Sequence, residues 1–179
     1  MSIILEQPSK TASNGKTTPR KIPGYLVREI IGGVPFFYPE FRAVLNKTKT
    51  LDEVMADSSL QWTLKESVGD LIKSNLDPKR YKFGRGEVGV HLGRNDNVGL
   101  DMAVFEREKL TPDKIGSKYV DVPPILVVEI DIQIEHSERH ANLFEDYVLP
   151  KIKSLLEFGV QRVLWIFSKS KTVFIAEPG

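Results

Sequence analysis

Two carboxylates set into an apolar strand are the residues of this chain best suited to chemistry. Glu129 and Asp131 lie in Pro123-Pro124-Ile125-Leu126-Val127-Val128-Glu129-Ile130-Asp131-Ile132. Alternate strand side chains share a face, so the two acids point the same way. A lone buried carboxylate is costly unless it is paired, protonated or bound to metal. Asp101, in Val98-Gly99-Leu100-Asp101-Met102-Ala103-Val104-Phe105, repeats the pattern on a second apolar strand. Asp101, Glu129 and the backbone carbonyl of Ile130 form a donor set for Mg²⁺ or Mn²⁺, hard cations that take oxygen ligands and retain waters. A cation held there activates water and stabilises charge on a phosphodiester. Glu87, just before another apolar strand, is either a third acid near the metal or an ordinary strand-start acid. Asp131 is either a ligand or the partner of a cation at the strand end. The competing reading of Asp101 and Glu129 is a structural salt bridge, with Lys151 or Arg162 as the cation.

The elements that must position these acids follow from periodicity. Tyr25 to Ile31, Gly32-Gly33 and Val34 to Tyr38 read as an N-terminal β-hairpin, with Pro35 placing its second strand at an edge. Leu51 to Met55 reads as one helical turn. Ser58 or Ser59 caps a longer helix to about Asn75, with Leu60, Leu64, Val68, Leu71 and Ile72 as its buried face. Gln61 and Glu66 lie off that stripe, and Glu66 reads as solvated. Val88, Val90 and Leu92 alternate with Glu87, Gly89 and His91 in a half-buried strand. Arg94 to Asn97 turns into an antiparallel strand from Leu100 to Phe105, and Thr111-Pro112 starts a short helix. Leu126 to Ile132 is apolar enough to be buried on both faces as the central strand. Leu143 to Leu156 is helical, Pro150 kinks it or sits in a first turn, and Gly159 caps it. Val160 to Phe167 and Thr172 to Ala176 are the last strands. This order predicts an α/β (α+β) fold, a central mixed sheet flanked by helices.

The 179 residues suit one domain, at 24–179, behind a Ser-, Thr-, Lys- and Pro-rich flexible tail at 1–23. A hydrophobic fraction of 41% and a charged fraction of 27% favour a soluble globular class. The net charge of +1 gives no global attraction to nucleic acid, so any such attraction must be local. The absence of cysteine excludes disulfides and thiolate metal sites and fits a reducing cytoplasm. No apolar run approaches a membrane span, and the N-terminus lacks a signal-peptide core.

Leu100-Asp101-Met102-Ala103-Val104-Phe105, Pro124-Ile125-Leu126-Val127-Val128-Glu129-Ile130 and Phe158-Gly159-Val160-Gln161-Arg162-Val163-Leu164-Trp165-Ile166 occur in that order. Together with Arg28 to Tyr38 and Glu87 to Leu92, they give a chain that, from about Tyr25 to Gly179, resembles the Uma-two family of the PD-(D/E)XK nuclease superfamily. The resemblance implies a restriction-endonuclease-like core with metal held by Asp101 and Glu129. The superfamily's lysine two residues after the glutamate is replaced here by Asp131. The family's Ser-Pro is replaced by Ile132-Gln133. A lysine on the following helix is common in the family, and Lys151 takes that position, with Lys153 as fallback. A lysine there would serve the scissile phosphate or the attacking water. The implied activity is metal-dependent hydrolysis of DNA, with Asp101, Glu129, Lys151 and Glu87 as catalytic residues and a homodimer as an expected assembly. The alternative is a catalytically inactive module of the same fold that binds nucleic acid or a protein partner.

Other clusters carry weaker chemistry. Lys79, Arg80, Lys82 and Arg85, interleaved with Tyr81 and Phe83, could neutralise phosphates while the aromatics stack on bases; the bland alternative is two core aromatics beside solvated cations. His91, His136 and His140 lack the acid-flanked pattern of a zinc site. Gly84-Arg85-Gly86 lacks the context of a phosphate loop.

Overall fold

A computed structural model describes residues 3–4, 21–94, 96–131 and 142–179. The side chain of Asp131, together with His136, His140 and most of the predicted tail, lies outside the described residues. Strands β1 (Ile3–Ile4) and β2 (Lys21–Ile22) pair antiparallel. Ile22, inside the stretch read as tail, is buried with Leu26 and Phe41.

The remaining strands are β3 (Val27–Ile31), β4 (Val34–Phe37), β5 (Tyr81–Gly93), β6 (Asp96–Glu106), β7 (Leu126–Asp131), β8 (Arg162–Phe167) and β9 (Thr172–Ala176). They form one seven-stranded sheet in the order β4-β3-β6-β7-β8-β9, with β5 also on β6. Among the described strands, only β7 and β8 pair in parallel. The expected α+β architecture is therefore present: a mostly antiparallel sheet flanked by helices. The β3–β4 hairpin turns at Gly32 and Gly33, both at positive φ, where the absence of a Cβ removes the usual steric cost. Their amides donate to the Asp96 carboxylate at 3.2 and 3.1 Å, tying the turn to β6.

Helices α1 (Phe41–Leu45) and α2 (Leu51–Met55) cover the small cluster around Phe41. Helix α3 (Ser59–Ser74) is capped by Ser58, whose hydroxyl accepts from the Gln61 amide at 3.2 Å. Its Leu64, Val68 and Ile72 pack on Met102, Val128 and Ile130 from one side of the sheet. Leu60 and Leu71, expected in that face, are 52% and 66% exposed. The stripe is rotated toward Gln61 and Lys65, because both reach polar groups of the sheet. On the other side lies the larger core, where Val148, Ile152 and Leu155 meet Ala103, Val127, Val163 and Trp165. Here a π-helical turn (Phe144–Val148) runs into α4 (Leu149–Phe158). Pro150 sits in the first turn of α4, where its missing N–H costs least. Gly159, at φ 113, ends the helix, and its amide and that of Val160 close the last turn on Leu156 and Leu155.

One topological detail positions the acids of the sheet. Asn97 of β6 pairs with His91 of β5 and with Ile30 of β3; Met102 pairs with Arg85 of β5 and with Val128 of β7. So β5 lines one edge of β6, while β3 and β7 share the other and part between Asn97 and Met102. This fork leaves Val98, Gly99, Leu100 and Asp101 on an edge that neither strand's registered pairs cover.

Candidate functional site

The fork collects the acids. Extending the β6–β7 register one step past Met102↔Val128 sets Asp101 opposite Glu129. The ladder ends there, and the Asp101 side chain substitutes for a backbone acceptor: its Oδ2 accepts from the Ile130 amide at 2.7 Å. Its Oδ1 lies 2.9 Å from Lys65 Nζ, and Lys65 also donates to both Asp57 oxygens at 2.9 Å. Glu29 enters from β3. Lys151, fully buried on α4, lies 2.9 Å from Glu29 Oε2 and 3.2 Å from Glu129 Oε1, and donates to the Gly99 carbonyl at 3.1 Å. The Tyr147 hydroxyl donates to Glu29 Oε1. Tyr147 and Trp165 also present their rings to the Lys151 ammonium at 5.7 and 5.8 Å.

Burial sets the electrostatics. Burial alone would pull the Lys151 ammonium down, but Glu129 and Glu29 hold it well above the ordinary lysine value, so it stays charged. For Glu129 burial is the largest influence and pushes its carboxyl up to about 8, against the pull of Lys151. Lys65 is raised: burial lowers it, and Asp101 and Asp57 outweigh that.

A cavity of about 90 Å³ opens onto this network, lined among others by Glu129, Ile130, Gln61, Asp57, Glu87 and Arg28. Gln61 Nε2 donates to the Ile130 carbonyl at 3.2 Å. Glu87 reaches the cavity through a β-bulge: the β5–β6 register shifts between Arg85 and Val88, and both Gly86 and Glu87 take positive φ, 85° and 51°. Its carboxylate lies so close over Gly99 that a Cβ there would collide with Oε2. A strained non-glycine residue aimed across a glycine marks a constrained position.

Asp101, Glu129, the Ile130 carbonyl, Lys151 and Glu87 thus all fall at or beside the fork. Asp101 is 2% exposed and Lys151 is fully buried, and neither lines the cavity. Each of the two central acids has its own ammonium. Lys153 points away, 76% exposed and 3.8 Å from Glu157. Arg162 pairs with Glu177 rather than with the acids. None of Lys79, Arg80, Lys82 and Arg85 lines the cavity; Arg85 is engaged by Glu66 at 2.9 Å and Asp70 at 3.1 Å on α3. Glu66, read as solvated, is half exposed in that pair. His91 is exposed and contacts Asn97 at 2.7 Å.

Sequence reasoning missed Glu29, Lys65 and Arg28 as site residues. A signal for Lys65 existed: Gln61, Lys65, Val68 and Ile72 follow helical spacing as well as the leucines do.

Among the described residues, no group of three or more His, Asp or Glu side chains is arranged to hold a metal. What the fork offers a divalent ion is an oxygen-only set of two carboxylates and one carbonyl. Asp101 Oδ1 faces the Lys65 ammonium and Glu129 Oε1 the Lys151 ammonium, so an ion held there would compete with the two lysines for these oxygens. The chemistry of these donors fits a hard cation.

Among the described residues no helix is long and apolar enough to cross a membrane. No protein-family model matches the chain, and no curated protein matches it either. Among solved structures it is similar to one from Anabaena variabilis ATCC 29413, described as a putative nuclease belonging to DUF820. The TM-score is 0.59 and the identity 18%, over 84% of this chain and 71% of that one. The fold of this chain is therefore nuclease-like.

Proposed function

We infer that this protein is a metal-dependent endonuclease that hydrolyses phosphodiester bonds in DNA, a divergent member of the PD-(D/E)XK superfamily akin to the Uma-two family. The observation that carries the reading is the convergence of Glu29, Asp101 and Glu129 with a fully buried lysine at the fork of a nuclease-like sheet, beside a cavity. Asp101, Glu129 and the Ile130 carbonyl would hold Mg²⁺ or Mn²⁺. When bound, the ion supplies Lewis acidity and an activated water. The chain's own residues do the rest. Glu129 and Ile130 line the cavity, and Gln61 orients the Ile130 carbonyl. The Ile130 amide and Lys65 fix the rotamer of Asp101. Lys151 acts as a positioning residue, since its ammonium is spent on Glu29, Glu129 and Gly99 and is out of reach of solvent. Glu87 faces the cavity from the bulge, where it would orient water.

The test is incubation of purified protein with supercoiled plasmid and Mg²⁺ or Mn²⁺. Nicked or linear product is expected, with a loss of at least about 100-fold in Asp101→Asn and Glu129→Gln, the scale of removing one preorganised electrostatic contact. Cleavage that survives in the double variant overturns the assignment. A second reading, a silent nuclease-fold module, draws on the pairing of each acid with its own lysine. It predicts salt-sensitive binding without turnover and no heat in a Mg²⁺ titration.

A further inference from the structure

The cavity has one cationic residue among the side chains that line it, and the acids around it act on it through space rather than by direct contact. Arg28 lies on β3, at the mouth of the fork, next to Glu29 in sequence. It is half-buried. Among the described residues its guanidinium makes no hydrogen bond and no ion pair, although every other charge at the fork is engaged or faces open solvent. A guanidinium has five N–H donors in a rigid fork, a poor group to leave idle in a partly desolvated place. Its electrostatic surroundings are Tyr147, Glu29, Glu87 and Glu129. A second donor lines the same cavity: Trp165, whose buried indole N–H has no hydrogen-bond partner among the described residues. At about 90 Å³ the cavity is far below the roughly 300 Å³ at which pockets begin to take drug-sized ligands. It suits a single small oxyanion, not a whole nucleotide.

We propose that Arg28 is the phosphate anchor of this site, gripping non-bridging oxygens of a nucleic-acid backbone phosphate that enters the cavity beside Glu129. Planar, paired N–H donors match a phosphate in two-point contact, which a lysine cannot reproduce. Because Asp57 and Glu87 line the cavity together with Glu129, a bare phosphate meets more negative than positive charge there. Binding is therefore coupled to a divalent cation, which offsets those carboxylates. This assignment rests on the metal-site reading above, and it sets the polarity of the site: ion at Glu129 and the Ile130 carbonyl, anion at Arg28.

The experiment uses the full chain and two probes. The first is a short fluorescent DNA duplex, with Ca²⁺ replacing Mg²⁺, followed by anisotropy over a range of salt concentrations. Arg28→Gln is expected to lower the slope of log affinity against log salt by about 0.9, the value of one lost phosphate contact on B-DNA. Arg28→Lys keeps the charge, so the slope is retained while affinity falls. The second probe is inorganic phosphate by calorimetry, with and without Mg²⁺. Heat is expected from the wild type only with Mg²⁺ present, and none from Arg28→Gln. Thermal melting of each variant separates a folding defect from lost contact. The proposal is overturned if Arg28→Gln lowers the melting temperature yet leaves slope and phosphate heat unchanged, which is the behaviour of a structural counter-ion. It is equally overturned if the wild type binds neither probe. If DNA binding depends on Arg28 but plasmid is never cut, the nuclease reading fails and the anchor stands.

Discussion

Two lysines at the fork each meet two carboxylates, at different depths. Lys151 comes from α4, has no exposed surface, and sits among Glu29, Glu129 and the Gly99 carbonyl, walled by Tyr147 and Trp165. Lys65 comes from α3 on the opposite side of the sheet and bridges buried Asp101 to Asp57, whose side chain is 35% exposed and lines the cavity. The first pair is sealed and the second has a door. A sealed pair binds its charges to the fold, because removing either partner strands the other in a medium that cannot solvate it. A pair with one solvated member can loosen on that side, because water takes over at Asp57 while buried Asp101 keeps the Ile130 amide. The difference assigns structure mainly to Lys151 and leaves Lys65 the cation that can yield Asp101.

The largest effect expected from breaking this comparison is in Lys151→Met. Glu29 and Glu129 lose their shared counter-charge, and urea unfolding should show a loss of about 3–5 kcal/mol, the usual cost of orphaning a buried charge. Lys65→Met should cost less, about 1–3 kcal/mol, because Asp101 keeps the Ile130 amide and Asp57 turns to water. It should also tighten Mg²⁺ binding in calorimetry, since Asp101 Oδ1 is freed. Equal losses in the two variants would erase the distinction.

Gly99→Ala sharpens the comparison from the side of function. The new methyl group meets the Glu87 carboxylate, which must swing out of the cavity, while the Gly99 carbonyl still receives Lys151. Stability should change little, because the displaced atoms are the far end of a flexible side chain. Plasmid cleavage should fall, and it should be affected far more than the melting temperature.

The smallest effect lies at the surface, where a solvated carboxylate sets the scale for the buried ones. Glu53 closes a capping box with Thr50 at the start of α2, accepting from the Thr50 amide at 2.6 Å. The backbone hydrogen bond is the main cause that lowers its carboxyl below the ordinary value. A depressed folded value means that the stabilisation is present above the unfolded value and is lost as pH falls through the folded one. Thr50→Ala should weaken that acid-side loss and raise the Glu53 midpoint in a carbon-detected NMR titration, with no change at neutral-pH cleavage.

Much of this arrangement was legible in the chain. The hairpin at Gly32-Gly33, the Ser58 cap, the glycine stop at Gly159 and the doubly buried strand around Val127 all follow from local rules, and each is present. Local rules fail on α3, where an apolar count favours Leu60 and Leu71. The helix instead turns Gln61 and Lys65 inward, because the Ile130 carbonyl and the Asp101 carboxylate need donors at that end of the sheet. Glu29 was visible only as part of a hairpin motif, and nothing local to it announces a partner on α4.

The sequence by itself determined where carboxylates interrupt apolar strands, and so which residues had to be paired, protonated or metal-bound: that is a matter of desolvation cost, and desolvation is written in residue type and its neighbours. Only the tertiary structure decided who pairs with whom. Asp101 met Lys65, Glu129 met Lys151 and Glu29 joined them because β3 and β7 part along a single edge of β6, and the parting of two strands is a property of long-range register that no window of the chain contains.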